Sequence, residues 1–189
     1  MALGPKRPRD PNQAARQLID IISRRWWYLI LGLAFVVHNS EEVLLAPQML
    51  RFMQSAAPGF VREFHAGITV SELQAVLLIL TALVLMVIAI AVVFAAAPAS
   101  AFALIALAAL LGLNAVFHIC LFIYTGVYSA GLATAVLVSL PVAAMLLVRA
   151  RRQRWIPARA FWLAVPAAVL VHGPVVDWLF KASLSTVRG

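Results

Sequence analysis

Charge is scarce in this chain. Only 12% of its 189 residues are charged, 64% are hydrophobic, and the mean hydropathy is +0.97. A soluble domain carries about a quarter charged residues, so a water-soluble globular protein is excluded. Cysteine is nearly absent as well: Cys120 stands alone inside an apolar run. That removes an intrachain disulfide and any CxxC redox or zinc motif. There is no phosphate-cradling glycine loop, no nucleophile elbow with a Ser-His-Asp order and no heptad pattern, and those classes are set aside. Acidic residues are the scarcest charges, 7 against 15 Lys and Arg, for a net charge of +8. In so apolar a chain the basic excess sets membrane orientation, and no nucleic-acid partner is expected.

What the chain does have is long apolar runs. About twenty apolar residues cross a bilayer core, and such runs cover 26–46, 73–97, 99–125, 130–148 and 158–180. Ala, Leu and Val dominate them without strand-length alternation, which favours helices over a barrel. The expected fold is an all-α, polytopic transmembrane helix bundle. Four core spans occupy 26–148, a basic loop 149–157, and a fifth hydrophobic segment with a short C-terminus 158–189. Residues 1–25, rich in Pro and basic side chains, are expected to form a disordered cytoplasmic tail.

Orientation follows from the basic residues. Arg16, Arg24 and Arg25 precede the first span, and Arg149, Arg151, Arg152 and Arg154 follow the fourth. An even number of crossings puts both clusters on one side, which the positive-inside rule makes the cytoplasm. The integral protein is then expected in a plasma membrane with its N-terminus inside and the loop 47–67 outside. Trp26, Trp27 and Trp155 mark the inner edge, and Tyr124, Tyr128 and Trp178 the outer. Ser23-Arg24-Arg25 reads as a juxtamembrane anchor rather than an export signal, because the run that follows holds two carboxylates and no small-residue cleavage site.

Polar residues inside the spans gather at one depth. A charge at the bilayer centre costs roughly 2.5–3.5 kcal/mol on insertion scales, so His38, Glu41 and Glu42 need compensation. At about 100° per residue, Glu41 lies about 60° to one side of His38 and Glu42 about 40° to the other. That sector must face the bundle interior. With a rise of ~1.5 Å per residue, Glu41 and His118 lie about 7 and 9 Å outward of their span centres, and Glu72 opens the second span in a similar layer. Asn114 shares a helix face with His118 at a spacing of four.

Neutral imidazole with carboxylate suits zinc, manganese or iron. His38, Glu41 and His118 are therefore the candidate metal ligands, with Glu42 or Glu72 as general base and Asn114 orienting His118. The plainer alternative is a hydrogen-bonded polar knot between helices, which Ser, Asn or Gln would make more cheaply. Glu72 also fits a merely interfacial role, His65 a surface loop and Asp177 the outer interface beside Trp178 and Lys181. Gly131 and Pro141 read as backbone devices, a close approach and a kink. The loop 48–60 is either an amphipathic piece ended by Pro58-Gly59 or a plain connector.

The segment His38-Asn39-Ser40-Glu41-Glu42, followed by Pro47, resembles the signature of the HXXEE family of small bacterial membrane proteins. The similarity continues through Glu72, Asn114-Ala115-Val116-Phe117-His118, Tyr128-Ser129-Ala130-Gly131, Thr134 and Pro141, over roughly residues 30–148. The resemblance implies a four-span core and an enzyme-like polar signature, and carries no reaction with it. His172 and Asp177 lie outside it.

Three functions compete at this stage. One is a membrane metalloenzyme using a divalent ion on a lipid-like or isoprenoid substrate. The second is a metal-free isomerase or cyclase with a protonated Glu41/Glu42 pair as general acid. The third is a proton- or cation-coupled transporter or a small subunit of a larger complex, for which oligomerisation would have to complete the ion path.

Overall fold

The computed structural model describes residues 11–189, which are helical apart from short connections. Helix α1 spans Pro11–Leu44, α2 Ala46–Ser55, α3 Gly59–Phe64, α4 Val70–Val93 and α5 Pro98–Thr125. Two further helices follow, α6 over Leu132–Arg152 and α7 over Ala158–Arg188. No strand occurs among the described residues. Residues 1–10 of the expected tail lie outside them. From Pro11 onward the segment expected to be disordered is instead helical and continuous with α1.

Helices α4, α5, α6 and α7 are each long and apolar enough to cross a membrane. That fits an integral membrane protein. The first expected span is different. Its His38-to-Glu42 segment lowers the hydropathy of α1, and the chain bends by 73° between Ile21–Leu44 and Ala46–Ser55, the pair together counting as a fifth candidate span. Pro47 in the first turn of α2 fixes the restart, since a proline at that position lacks only an N–H the helix does not use.

Helix α2 answers the question left open for the outer loop. Met49, Leu50, Phe52 and Met53 are buried against Leu73, Val76 and Leu77 of α4, while Arg51 and Gln54 are exposed. The piece is amphipathic, but its apolar side packs on the bundle's own helices. It ends at Ser55, and Pro58 caps the start of α3 instead of terminating α2.

Helix α5 is the axis of the bundle, in contact with α1, α4, α6 and α7. Tyr28, Leu31 and Phe35 of α1 meet Ile88 and Ala91 of α4 and Leu104, Ala108 and Leu111 of α5 in one buried cluster. Small residues allow the approach: a Cβ on Gly112 would lie 3.3 Å from that of Ala143 on α6. Lipid tails are as apolar as leucine, so such close packing holds membrane helices together where the hydrophobic effect does not.

Two spans carry π-helical turns. In α6 the turn covers Ala135–Ser139, and the Leu140 N–H bonds the Ala135 carbonyl five residues back. Pro141 cannot donate into the ladder, and the expected kink takes this form. In α7 the turn Val171–Val175 surrounds Pro174. The α6 turn matters for function because it packs between α1 and α5 and fixes the turn that precedes it, Leu132–Thr134.

Candidate functional site

His38 and Glu42 lie one helical turn apart on α1 and face His118 on α5. Their relative exposures are 0%, 5% and 2%, so the three polar side chains are out of water altogether. Glu42 Oε1 is 3.1 Å from His118 Nε2 and 3.8 Å from His38 Nε2. The two imidazoles meet edge to face at 5.1 Å between ring centroids. One ligand atom from each residue falls within 4.8 Å of the others.

The hydrogen bonds around His38 assign its tautomer. Asn114 Nδ2 donates to His38 Nε2 at 2.6 Å, and His38 Nδ1–H donates to Thr134 Oγ1 at 2.9 Å. The Thr134 hydroxyl in turn donates to the Gly131 carbonyl at 3.2 Å. His38 is thus a neutral imidazole whose Nε2 lone pair accepts from the Asn114 amide inside the site, so an ion bound at Nε2 would displace that amide. His118 has no second anchor: its Nδ1 is buried without a hydrogen-bond partner. The Oγ atoms of Ser129 and Ser139 are buried and unpartnered as well.

Gly131 closes the site from the α5–α6 connection. Its φ is +90°, and a Cβ there would lie 2.7 Å from His118 Cε1 and 3.1 Å from His38 Cε1. The close approach expected at this glycine is therefore an approach to both imidazoles at once.

The polar set divides differently from the sequence reading. The sequence groups Glu41 with His38 and His118, and the structure turns it the other way. Its Oε1 accepts from the Tyr128 hydroxyl and, at 3.0 Å, from the Gly131 N–H, and its Oε2 accepts from the Thr134 N–H at 2.8 Å. Glu41 is a carboxylate cap on the N-terminus of α6, supplied by another helix, where unsatisfied N–H groups and the helix dipole favour an anion. Glu42 takes its place between the imidazoles.

Glu72 is not brought to the site. It completes a capping box with Thr69 at the start of α4, accepting from the Thr69 N–H at 2.8 Å. Arg188 Nε donates to it at 2.7 Å. Asn114 is brought in, but it bonds His38 rather than orienting His118. The remaining polar residues play local parts. His65, expected on a surface loop, is buried and donates Nδ1–H to the Val61 carbonyl at 2.8 Å; burial holds its pKa below the ordinary histidine value. His172 lies beyond Phe117, whose ring is 6.1 Å away, and Asp177 pairs with Lys181 at 3.0 Å.

Sequence reasoning places Tyr128 in the outer aromatic belt and meets Thr134 only within the family resemblance; it expects neither to position His38 or Glu41, as they do. Thr134 lies in the first turn of the proline-bearing span α6, and Tyr128 and Gly131 sit in the short connection before it; only their shared proximity to the start of α6 signals the cap.

No curated protein and no solved structure matches this chain. The family described as "Protein of unknown function with HXXEE motif" matches it over residues 29–146, a stretch that contains His38, Glu41 and Glu42 as well as Asn114, His118, Gly131 and Thr134. The chain belongs to that family.

Proposed function

We propose that this protein is a membrane-embedded, metal-dependent enzyme acting on an apolar, lipid-like substrate, with His38, Glu42 and His118 as the metal ligands. The observation that carries this reading is the buried triad itself. Two imidazoles and one carboxylate with an open fourth position are the ligand set of catalytic zinc. Around a tetrahedral ion with bonds of about 2.05 Å, ligand atoms stand roughly 3.3 Å apart. The two carboxylate–imidazole separations, 3.1 and 3.8 Å, bracket that value, and all three ligand atoms lie within 4.8 Å of one another. A carboxylate buried among apolar helices is costly on its own, and a divalent cation would offset that burial.

The outer partners fit the same chemistry. A metal-bound histidine commonly donates its second N–H to a fixed acceptor, which sets its tautomer and orientation. His38 does so to Thr134 Oγ1. A bound divalent ion would lower the pKa of a coordinated water toward about 7 or polarise a substrate oxygen. Glu41 stabilises the floor on which Thr134 and Gly131 sit, and an ion bound at His38 Nε2 would release the Asn114 amide beside it for a substrate oxygen. Exposed Val127 and Tyr128 flank the connection that covers the triad, and the surrounding helices are apolar, which suits a substrate arriving from the lipid phase. In our reading the N-terminus is cytoplasmic and the site lies in the outer half of the membrane.

The direct contact between His118 Nε2 and Glu42 Oε1 at 3.1 Å supports one other reading, a metal-free acid–base dyad. It replaces the Glu41/Glu42 pair, whose carboxylates have separate partners. Elemental analysis of protein purified in detergent without chelator separates the two. The metalloenzyme reading predicts close to one zinc, manganese or iron per chain, lost in His118→Ala. An apo protein that also takes up none of these ions when challenged would leave the dyad. Thr134→Val should weaken metal binding by roughly 10–100-fold while leaving the three ligands in place, measured by competition with a chromophoric chelator.

A further inference from the structure

The opposite end of the bundle carries a basic hollow. It has a volume of about 560 Å³ and lies between the end of α6 and the start of α7, lined by Arg151, Arg154, Trp155, Ile156, Pro157 and Ala158. Neither Arg151 nor Arg154 has an ion-pair partner among the described residues, whose salt bridges use Glu42, Glu72 and Asp177. Among the described residues no carboxylate lines the hollow.

The turn that forms it is built in an unusual way. Trp155 N–H bonds the Ala150 carbonyl at 3.2 Å and Arg154 N–H bonds the Arg151 carbonyl at 3.4 Å, the paired bonds of a Schellman helix end. The left-handed residue of that motif is ordinarily glycine, yet here it is Arg154 at φ +52°, the one non-glycine residue with positive φ among those described. Glycine would make the turn without strain. The arginine adds a cation to the hollow, and the Trp155 indole beside it is held by donation to Gln153 Oε1 at 2.8 Å. The first turn of α7 has no side-chain cap on its N–H groups, which adds a weak attraction for anions.

We propose that this hollow binds the phosphate of an anionic membrane lipid. Two guanidiniums without an ion-pair partner among the described residues suit the oxygens of a phosphate, and basic hollows between transmembrane helices at a membrane face are suited to anionic lipid headgroups. Its surroundings select a lipid over a free phosphate. Val148 before the hollow and Trp162 and Leu163 after it are half or more exposed, an apolar surface along which acyl chains would run. The tryptophan and arginines stand where α6 ends and α7 begins, the level at which lipid phosphates lie.

Full-length protein, delipidated in detergent, tests this by native mass spectrometry during titration with phosphatidylglycerol, phosphatidylcholine and inorganic phosphate. Phosphatidylglycerol should bind at one strong site and outcompete phosphatidylcholine. Arg154→Gly should weaken that site about fivefold, and the double variant with Arg151→Gln about thirtyfold. Because glycine suits the turn, Arg154→Gly should keep or raise the thermal midpoint, so lost binding is not lost folding. Equal affinity in wild type and the double variant would overturn the proposal. So would equal binding of the two lipids, and inorganic phosphate competing as well as the lipid would move the ligand to the soluble phase.

Discussion

Glu42→Gln is expected to strip the bound metal and leave the fold intact, while Glu41→Gln does the reverse. The two residues are neighbours in sequence and differ by a single step around α1, so the contrast tests the geometry itself. Glu42 has only the two imidazoles as partners. Glutamine there keeps the volume and an oxygen that accepts from His118 Nε2, but it removes the anionic ligand. The loss in metal affinity should exceed the roughly 10–100-fold typical of removing an outer hydrogen-bond partner. Glu41 instead receives three donors, from Tyr128, Gly131 and Thr134, on its two oxygens. A glutamine replaces one acceptor oxygen by an NH2 group that points donor at donor. Losing charge-assisted bonds of this kind costs about 1.5–3 kcal/mol, so the thermal midpoint falls while the metal ligands remain. Metal content and thermal midpoint of both variants in one detergent decide the matter. If Glu41→Gln loses the ion and Glu42→Gln keeps it, the triad is assigned to the wrong carboxylate.

That contrast also marks where the sequence stops being informative. Helical spacing brings His38, Asn114 and His118 into view, because residues three to four apart share a face and buried polar residues need partners. The same spacing puts Glu41 and Glu42 on opposite flanks of His38. Which flank meets His118 depends on whether α5 or α6 packs on that side, and this is a property of the bundle and not of α1. The apolar lengths of α4 to α7 were legible from hydropathy alone. The end of the first span near Ala46 and Pro47 was legible too; what stayed open was whether 48–60 forms a helix, and the packing of α2 against α4 shows why it does. Glu72 had a legible explanation that depth reasoning passed over: Thr69-Val70-Ser71-Glu72 is the spacing of a capping box.

Gly131→Ala is expected to disable the site from a position that holds no ligand. Two separate penalties act there. A left-handed backbone costs an L-residue roughly 1–2 kcal/mol, and Gly131 has φ +90°. The added methyl would also stand 2.7 Å from His118 Cε1 and 3.1 Å from His38 Cε1. Overpacking of a closed interior adds about 1–3 kcal/mol, and here the atoms that must yield belong to the two candidate metal ligands. His118 is the freer of the two, since its Nδ1 has no partner to hold the ring, so the ring is expected to swing from Glu42. Gly126 provides the control. It has φ +67° but open space around its would-be Cβ, so Gly126→Ala carries the backbone penalty without the contact. Gly126→Ala should lower the thermal midpoint modestly and retain metal, whereas Gly131→Ala should lower it further and reduce metal affinity at least tenfold, given the need for fixed ligand geometry. Equal midpoints and unchanged metal in both variants would mean that the glycine only turns the chain. A selective loss in Gly131→Ala would make the α5–α6 connection a wall of the metal site, held in register by Glu41 on one side and by the π-helical turn of α6 on the other.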